Sequence, residues 1–294
     1  MARSKHYRNA FLNICRNWLQ DWTLSQKIAL AYSVLIIGLL TLAYLANVFT
    51  ILPHDPQDMA LDAVMLPPFH KGYLLGTDYL GRDELTRLIM GTNAYFIPGL
   101  MAVIIAVAFG SILGCISIYS SLTSKTLINI FNNTIHSMPR LVMFFLFIAI
   151  FEPNIYLIML IVGISHIPSI ARIINTRIMS LREKSFIDSA IASGLSRTNI
   201  LLKQILWFNC RGIILSQASL VMSEAILMET SLSYLGFGVQ EPAASWGNMI
   251  QSGASYLLQG KFWSSTIPAI AVMLTLSAFF LLSHLLIQKM DNAR

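Results

Sequence analysis

The sequence has few charges. Asp, Glu, Lys and Arg together make up 12% of its 294 residues, whereas hydrophobic residues make up 55%. A soluble domain carries about 25% charged residues, and half of that share cannot cover the surface of a water-soluble globule of this size. The composition therefore excludes a disordered chain, a nucleic-acid-binding basic domain and most soluble enzymes. It predicts an integral membrane protein, with the lipid bilayer as its surroundings.

Motifs for catalysis are absent as well. The sequence contains no G-x-x-x-x-G-K-[ST] loop to hold a phosphate, no H-E-x-x-H zinc pair and no G-x-S-x-G nucleophile elbow. The cysteines, Cys15, Cys115 and Cys210, are far apart and match no metal-ligand spacing. We therefore predict that the chain is not an enzyme and holds no catalytic residue, metal or cofactor of its own.

Long apolar runs are what the sequence has in abundance. The first run, 28–52, is uncharged over 25 residues, which is enough to cross the roughly 30 Å hydrocarbon core and too long for a signal peptide. Further runs lie at about 94–122, 126–151, 155–171, 212–234 and 262–287. Because lipid satisfies no backbone hydrogen bond, the predicted fold class is an all-α polytopic membrane protein with six transmembrane helices.

The basic residues are distributed unevenly between the two sides of these spans. Fifteen of the 20 Lys and Arg residues fall on one side, which the positive-inside rule makes the cytoplasmic one. Both termini are therefore predicted to be cytoplasmic. The predicted organisation is a cytoplasmic N-terminal segment (1–27), a first span (28–52), an external loop (53–93), a core of five spans (94–287) with a cytoplasmic loop (172–211) and a re-entrant-like external loop (235–261), and a cytoplasmic tail (288–294).

Five ionisable residues lie inside the predicted spans: His136, Arg140, His166, Glu224 and Glu229. Such groups are costly in a membrane and call for a reason. They either reach water from helix ends or pair inside the bundle, or they line a hydrated path for a solute. Prolines beside Arg140 and His166 favour a kink that opens the helix there. Glu224 and Glu229 are about 140° apart around a helix and do not form a same-face pair.

The cytoplasmic segment 182–206 has the pattern of two short amphipathic helices. Gly194 occupies the position where the first would end, and Ser196 is a plausible N-cap for the second. Such a segment either lies on the lipid surface or docks a cytoplasmic partner.

This segment resembles the E-A-A-x-x-x-G loop of permease subunits of ATP-binding-cassette (ABC) importers, through Asp188-Ser189-Ala190 and Gly194. Residues 75–87 resemble the signature G-T-D-x-x-G-R-D-x-x-[ST]-R, and residues 225–247 resemble A-I-L-x-E-x-x-L-S-F-L-G-x-G-x-Q-x-P-x-x-S-W-G. By these motifs, in order over about 52–287, the chain is identified as a member of the dipeptide/oligopeptide/nickel permease family, in its C-type subunit.

The resemblance implies a multi-pass protein of the bacterial cytoplasmic (inner) membrane. It implies as partners a second homologous permease subunit, two cytoplasmic ATP-binding subunits, which would bind ATP and Mg, and an extracytoplasmic solute-binding protein. The implied ATPase-coupling residues are Asp188, Ser189, Ala190, Gly194, Ser196 and Leu206. The residues matching the external family motifs are Gly76, Thr77, Asp78, Gly81, Arg82, Asp83, Arg87, Gly236, Gly238, Pro242, Trp246 and Gly247.

The sequence departs from the family pattern in places. Trp207 stands where a proline usually follows the coupling loop, Arg140 stands where a neutral residue is more frequent, and 280–286 replaces a polar stretch. Peptides are the commonest solutes of such permeases, and nickel or a metal chelate remains an alternative. An ion-coupled secondary transporter, using the intramembrane acids, Arg140 and the histidines as a relay, is the alternative of another class.

Overall fold

The computed structural model describes residues 22–56, 58–119, 122–152, 154–182, 193–194, 196 and 199–292. Its α-helices are α1 (Leu24–Val48), α2 (Glu84–Met90), α3 (Phe96–Tyr119), α4 (Leu122–Ser137), α5 (Arg140–Ile150), α6 (Ile155–Arg182), α7 (Arg211–Tyr234), α8 (Trp246–Ala254) and α9 (Trp263–Asn292). A π-helical segment, Ile200–Cys210, leads into α7. Short 3₁₀ turns lie at Leu61–Ala63, Gly91–Ala94 and Leu257–Gln259.

Five helical stretches are long and apolar enough to cross a membrane, and α4 with α5 forms a bent pair that makes a sixth. The continuous stretches are α1, α2 with α3, α6, α7 with the end of the π-helical segment, and α9. Within the described residues the β pairing consists of two isolated bridges. The predicted all-α polytopic fold is therefore confirmed, with six spans when the bent pair is one of them. The orientation of the termini stays a prediction.

The first predicted span, 28–52, is a helix four residues earlier in the chain, at Leu24–Val48. Two other apolar runs differ more from the expected bounds. The run at 126–151 is two helices that meet at 89°. The break falls at Pro139, which has no N–H to donate and disfavours helical backbone in the residue before it. The run that begins at Ile155 continues past Ala171 to Arg182. Residues 172–182 of the predicted loop are therefore helical, because basic residues end a membrane span without ending a helix.

The bundle is tightest where α3 crosses α6, and glycines make the close approach possible. A Cβ on Gly110 would lie 2.7 Å from the Cβ of Ile170, and one on Gly114 would lie 2.8 Å from the carbonyl oxygen of Ala171. Gly163 of α6 meets Ile105 of α3 in the same way. Helices in lipid associate through such small-residue contacts because the apolar solvent gives no hydrophobic drive. This interface is therefore the centre of the fold.

Helix α1 lies at the edge of the bundle. Only 11% of the residues in its most apolar stretch are buried, against 67% for α6. It packs along α9, where the Tyr32 hydroxyl lies 2.7 Å from Ser277 Oγ and Gln26 Nε2 donates to Gln288 Oε1 at 2.9 Å. Helix α1 begins at a capping box between Thr23 and Gln26.

Candidate functional site

The segments 53–93 and 235–261 fold together into one unit, here named the external cap after its predicted side. At its centre Arg82 donates from Nε to Asp78 Oδ2 at 2.7 Å and from Nη1 to Glu241 Oε2 at 2.8 Å. Arg87 Nη2 donates to the other oxygen of Glu241 at 3.0 Å. One carboxylate of the second segment thus bridges two arginines of the first, so this cluster ties the two segments together.

Three of the four charges in this cluster are almost completely enclosed, whereas the Glu241 side chain is 37% exposed. Asp78 and both arginines are no more than 3% exposed. Burial lowers the pKa of the Arg82 guanidinium, but its contacts with Glu241 and Asp78 more than offset this effect and raise the pKa above its ordinary value. Arg82 therefore stays charged and fully engaged with the cap.

Glycines of the first external motif lie where the backbone leaves no room for a side chain. Gly81 has φ +77°, and a Cβ built on it would lie 2.1 Å from the carbonyl oxygen of Ala60. Gly76 has φ +84° and would meet Leu66 at 2.4 Å. Thr77 bonds the same loop through its hydroxyl, to the backbone of Ala63 and Leu66. These motif residues therefore shape the cap.

Asp83 begins α2. Its Oδ2 accepts bonds from the backbone N–H of Thr86 at 3.0 Å and from the Thr86 hydroxyl at 2.6 Å. An aspartate at this position satisfies amides that the first helical turn leaves without partners. Asp83 also lies 3.3 Å from His54 Nδ1.

The second external motif completes the cap. Trp246 Nε1 donates to the carbonyl of Leu88 at 2.9 Å, and its ring covers Gly91 and packs on Tyr95. A Cβ on Gly247 would lie 2.4 Å from Thr230 O, and one on Gly238 would lie 2.1 Å from Ser233 Oγ. The remaining motif residues are exposed Gly236, with φ +83°, and Pro242, which follows Glu241.

Three contributors to the cap were missed by sequence reasoning. Glu241 bridges the arginines, Ser233 Oγ accepts from Val239 N–H at 2.9 Å, and Asn248 Nδ2 donates to the carbonyls of Val239 and Ala243. Glu241 could have been predicted from the sequence, because it is the one acid in the segment 235–261 and the first external motif carries two arginines.

Inside the spans, Arg140 and Glu224 form an ion pair. Arg140 Nη1 donates to Glu224 Oε1 at 2.5 Å, which joins α5 to α7. The side chains are 36% and 19% exposed. Buried His166, whose Nδ1 lies 3.0 Å from Val162 O, is within electrostatic range of both. Three of the five predicted intramembrane groups therefore lie near one place, beside the break at Pro139, while α6 runs through Pro168 without a break.

The other two groups lie apart from this pair. Glu229 is completely buried and accepts a bond from Ser233 Oγ at 2.6 Å, beneath the external cap. His136 is exposed near the end of α4. Glu224 and Glu229 do point to different surroundings, as their spacing on a helix requires.

Helix α4 carries a polar stripe, formed by Lys125, Asn129, Asn132, Asn133 and His136. These residues recur at the three- and four-residue spacing that places side chains on one helix face. Every member except His136 lines a cavity of about 680 Å³ between α3, α4 and α6. The stripe spans about 16 Å along the helix and ends just before the break that precedes Arg140. This spacing of polar residues is visible in the sequence, but only His136 was predicted from it as a candidate pathway residue.

Comparison with known proteins decides the family. Residues 106–292 match the family model of the binding-protein-dependent transport system inner membrane component. The chain belongs to this family. It is 33% identical to the probable D,D-dipeptide transport system permease protein of Escherichia coli (strain K12), over 77% of this chain and 75% of that protein. It is also 33% identical to the oligopeptide transport system permease protein of Haemophilus influenzae, over 82% of this chain and 79% of that protein.

A third relative covers more of the chain. The dipeptide transport system permease protein of Bacillus subtilis (strain 168) is 30% identical over 90% of this chain and 82% of that protein. The predicted membership of a peptide permease family is therefore confirmed, and this transport component is a multi-pass inner membrane protein.

Part of the permease's predicted coupling loop can be placed. Gly194 has φ +76°, with no atom within 4 Å of an added Cβ. Ser196 Oγ accepts from the backbone N–H of Asn199 at 3.3 Å, the bond of an N-cap. Leu206 is half-buried and Trp207 is exposed in the π-helical segment. Asp188, Ser189 and Ala190 lie outside the described residues.

Proposed function

We propose that this permease is a subunit of an ATP-driven ABC importer of peptides and forms half of the translocation pathway. Its partners are a second homologous permease, two cytoplasmic ATP-binding subunits that hold ATP and Mg, and an extracytoplasmic solute-binding protein. Both termini lie in the cytoplasm. The chain itself is not an enzyme, and its energy comes from the partner ATPases.

The polar stripe of α4 is the observation that carries this proposal within the family. A helix that only fills a bundle has no use for three asparagines on one face next to a cavity, since polar groups in a membrane are costly without partners. The three asparagine amides offer neutral hydrogen-bonding groups to a peptide, in a cavity that Lys125 and Arg172 also line. Relatives similar over most of the chain are named as peptide permeases, which supports peptides as the solute.

Reconstitution tests this function. Proteoliposomes that contain the permease pair and the ATPases, supplied with the solute-binding protein, are expected to accumulate labelled Ala-Ala-Ala when ATP is present. Uptake should survive an uncoupler, whereas an ion-coupled carrier would lose it. Accumulation of Ni²⁺ without peptide would instead support the metal alternative. The permease purified alone should hydrolyse no ATP above an inactive control.

Coupling to the ATPases depends on the loop around Gly194. Its backbone conformation, φ +76°, is one that proline cannot adopt and a β-branched residue resists. We expect Gly194→Pro to abolish uptake while the protein remains in the membrane at normal abundance, because coupling free energies are only about 1–3 kcal/mol. The matched control is Gly260→Pro, which changes a glycine of the same φ on the predicted external side. Normal uptake by Gly194→Pro would show that this loop does not couple the partner ATPases to transport.

A further inference from the structure

Arg140 occupies a position that helix stability does not favour. It is the first residue of α5, after the 89° break, and Pro139 before it supplies no side-chain cap. A cation at a helix N-terminus faces the positive end of the helix dipole and is unfavourable there. The arginine therefore needs another reason to stand at this place.

The guanidinium is only partly engaged. It has five N–H donors, yet among the described residues its bonding partner is Glu224, through a single contact. The side chain is also 36% exposed. Arginines inside membranes face a bundle interior or a water-filled cavity rather than lipid. Donors of Arg140 therefore remain available on its exposed side.

The surroundings of Arg140 fit a passing solute. The polar stripe ends at His136, four residues before Arg140, and the part of α4 that lines the cavity reaches to Asn133. The helix ends at a broken span are the parts of transporters that meet substrate groups. Arginine presents a planar fork that matches a carboxylate with two parallel bonds. A second carboxylate that displaced Glu224 could use this fork fully.

We propose that Arg140 is a binding site for the C-terminal carboxylate of the transported peptide, and that Glu224 holds the guanidinium while the site is empty. This inference rests on the proposed function. When the peptide arrives, its carboxylate takes the Arg140 donors, and the released Glu224 carboxylate accepts a bond from the ammonium group of the same short peptide. The pair thus exchanges an internal partner for a zwitterionic ligand.

The experiment compares two peptides across variants. Labelled Ala-Ala-Ala and its C-terminal amide are loaded at saturation onto the same solute-binding protein, and uptake into proteoliposomes is measured for wild type, Arg140→Gln and Arg140→Lys. Because the binding protein is unchanged, its own preference cancels when each variant is divided by wild type for the same peptide. Membrane abundance and thermal unfolding report on folding.

We expect Arg140→Gln to lower uptake of the free acid about tenfold, equivalent to about 1.4 kcal/mol, and uptake of the amide less than about twofold. Arg140→Lys, which keeps the charge without the fork, should fall in between. Equal losses for both peptides would overturn the site and leave the proposed function standing. If wild type accumulates neither peptide, the proposed function fails and the site fails with it.

The charge-swapped double variant, Arg140→Glu with Glu224→Arg, separates a ligand site from a structural ion pair. A purely structural pair should be restored by the swap, together with uptake of Ala-Ala-Ala. A carboxylate-binding site should not be restored, because the guanidinium then lies on α7 and no longer at the start of α5. If wild type accumulates only the free acid, the two peptides cannot be compared, and the swap is then the test of the carboxylate site.

Discussion

The external cap and the break between α4 and α5 each place an arginine against a glutamate, but they hold it differently. In the cap, Arg82 is 2% exposed and contacts two carboxylates. At the break, Arg140 is 36% exposed and contacts one carboxylate at a single point. The first arginine is enclosed and out of reach of a ligand, whereas the second has free donors on an exposed side.

The comparison shows that an arginine–glutamate pair can either stabilise the fold or exchange its internal partner for a ligand. A buried ion pair is costly to form, but removing one partner leaves an uncompensated charge and is strongly destabilising. The contacts of both cap arginines with Asp78, all three residues at most 3% exposed, are therefore structural, and the 37% exposed Glu241 closes the outer side of this network. The Arg140–Glu224 pair has a single contact and an arginine with one exposed side, so Arg140 can exchange Glu224 for another carboxylate without unfolding the protein. Stability and transport should accordingly respond to different residues.

The largest contrast is expected between the two arginines. Arg82→Ala leaves buried Asp78 with Arg87 at 3.5 Å as its remaining ion-pair partner among the described residues and should lower the free energy of unfolding by about 3–5 kcal/mol. Arg140→Ala removes one contact and leaves Glu224, which is 19% exposed, without its partner, and should lower it by less, about 1–3 kcal/mol. Thermal unfolding in detergent and membrane abundance measure both. Equal destabilisation would show that the pair at the break is as structural as the cap.

A smaller effect is expected from the cap's backbone. In Gly81→Ala the alanine must adopt a left-handed conformation, which costs an L-residue about 1–2 kcal/mol, and its Cβ would collide with the carbonyl oxygen of Ala60. Together the two effects should lower the free energy of unfolding by about 2–3 kcal/mol. Gly260→Ala is the control, since Gly260 has φ +76° with open space around it; its loss should be about 1 kcal/mol. Equal shifts of the unfolding midpoint by the two alanines would show that the contact with Ala60 adds nothing to the cost at Gly81.

A smaller loss of stability is expected when one hydrogen bond of the cap is removed. Trp246→Phe removes the Nε1 donor to Leu88 and retains an aromatic ring over Tyr95. We expect a loss of about 1 kcal/mol, with uptake unchanged at permissive temperature. A large fall in uptake without a fall in the unfolding midpoint would assign the cap a direct part in transport.

The smallest effect on stability is expected on the polar stripe. The Oδ1 of Asn132 is buried without a hydrogen bond among the described residues. Replacing such a group by an apolar side chain of similar shape is close to neutral, so Asn132→Leu should change stability by less than about 0.5 kcal/mol. Uptake of Ala-Ala-Ala should nevertheless fall severalfold. Leu127→Ala, on the exposed apolar side of α4, is the control.

Local chemistry is what the sequence predicted well. Hydropathy located the spans because each span inserts by its own apolar length, Pro139 indicated the break, and Gly194 and Ser196 indicated the turn and the N-cap. Partners distant in the chain were not predicted. Arg140 and Glu224 are 84 residues apart, and Arg82 and Glu241 are 159 apart. A single sequence offers no local pattern that joins such positions.

The edge position of α1 has a consequence for biosynthesis. Its described hydrogen bonds to α9 join residues separated by 242 to 262 positions in the chain. At about 5–20 residues per second, a ribosome needs roughly 12–50 s to make the stretch between them. During that interval α1 must remain inserted in the bilayer without its final neighbour. A mean hydropathy of 2.3 over its most apolar stretch and the stacking of Tyr44 on Phe96 of α3 at 4.3 Å hold it there until the end of the chain arrives.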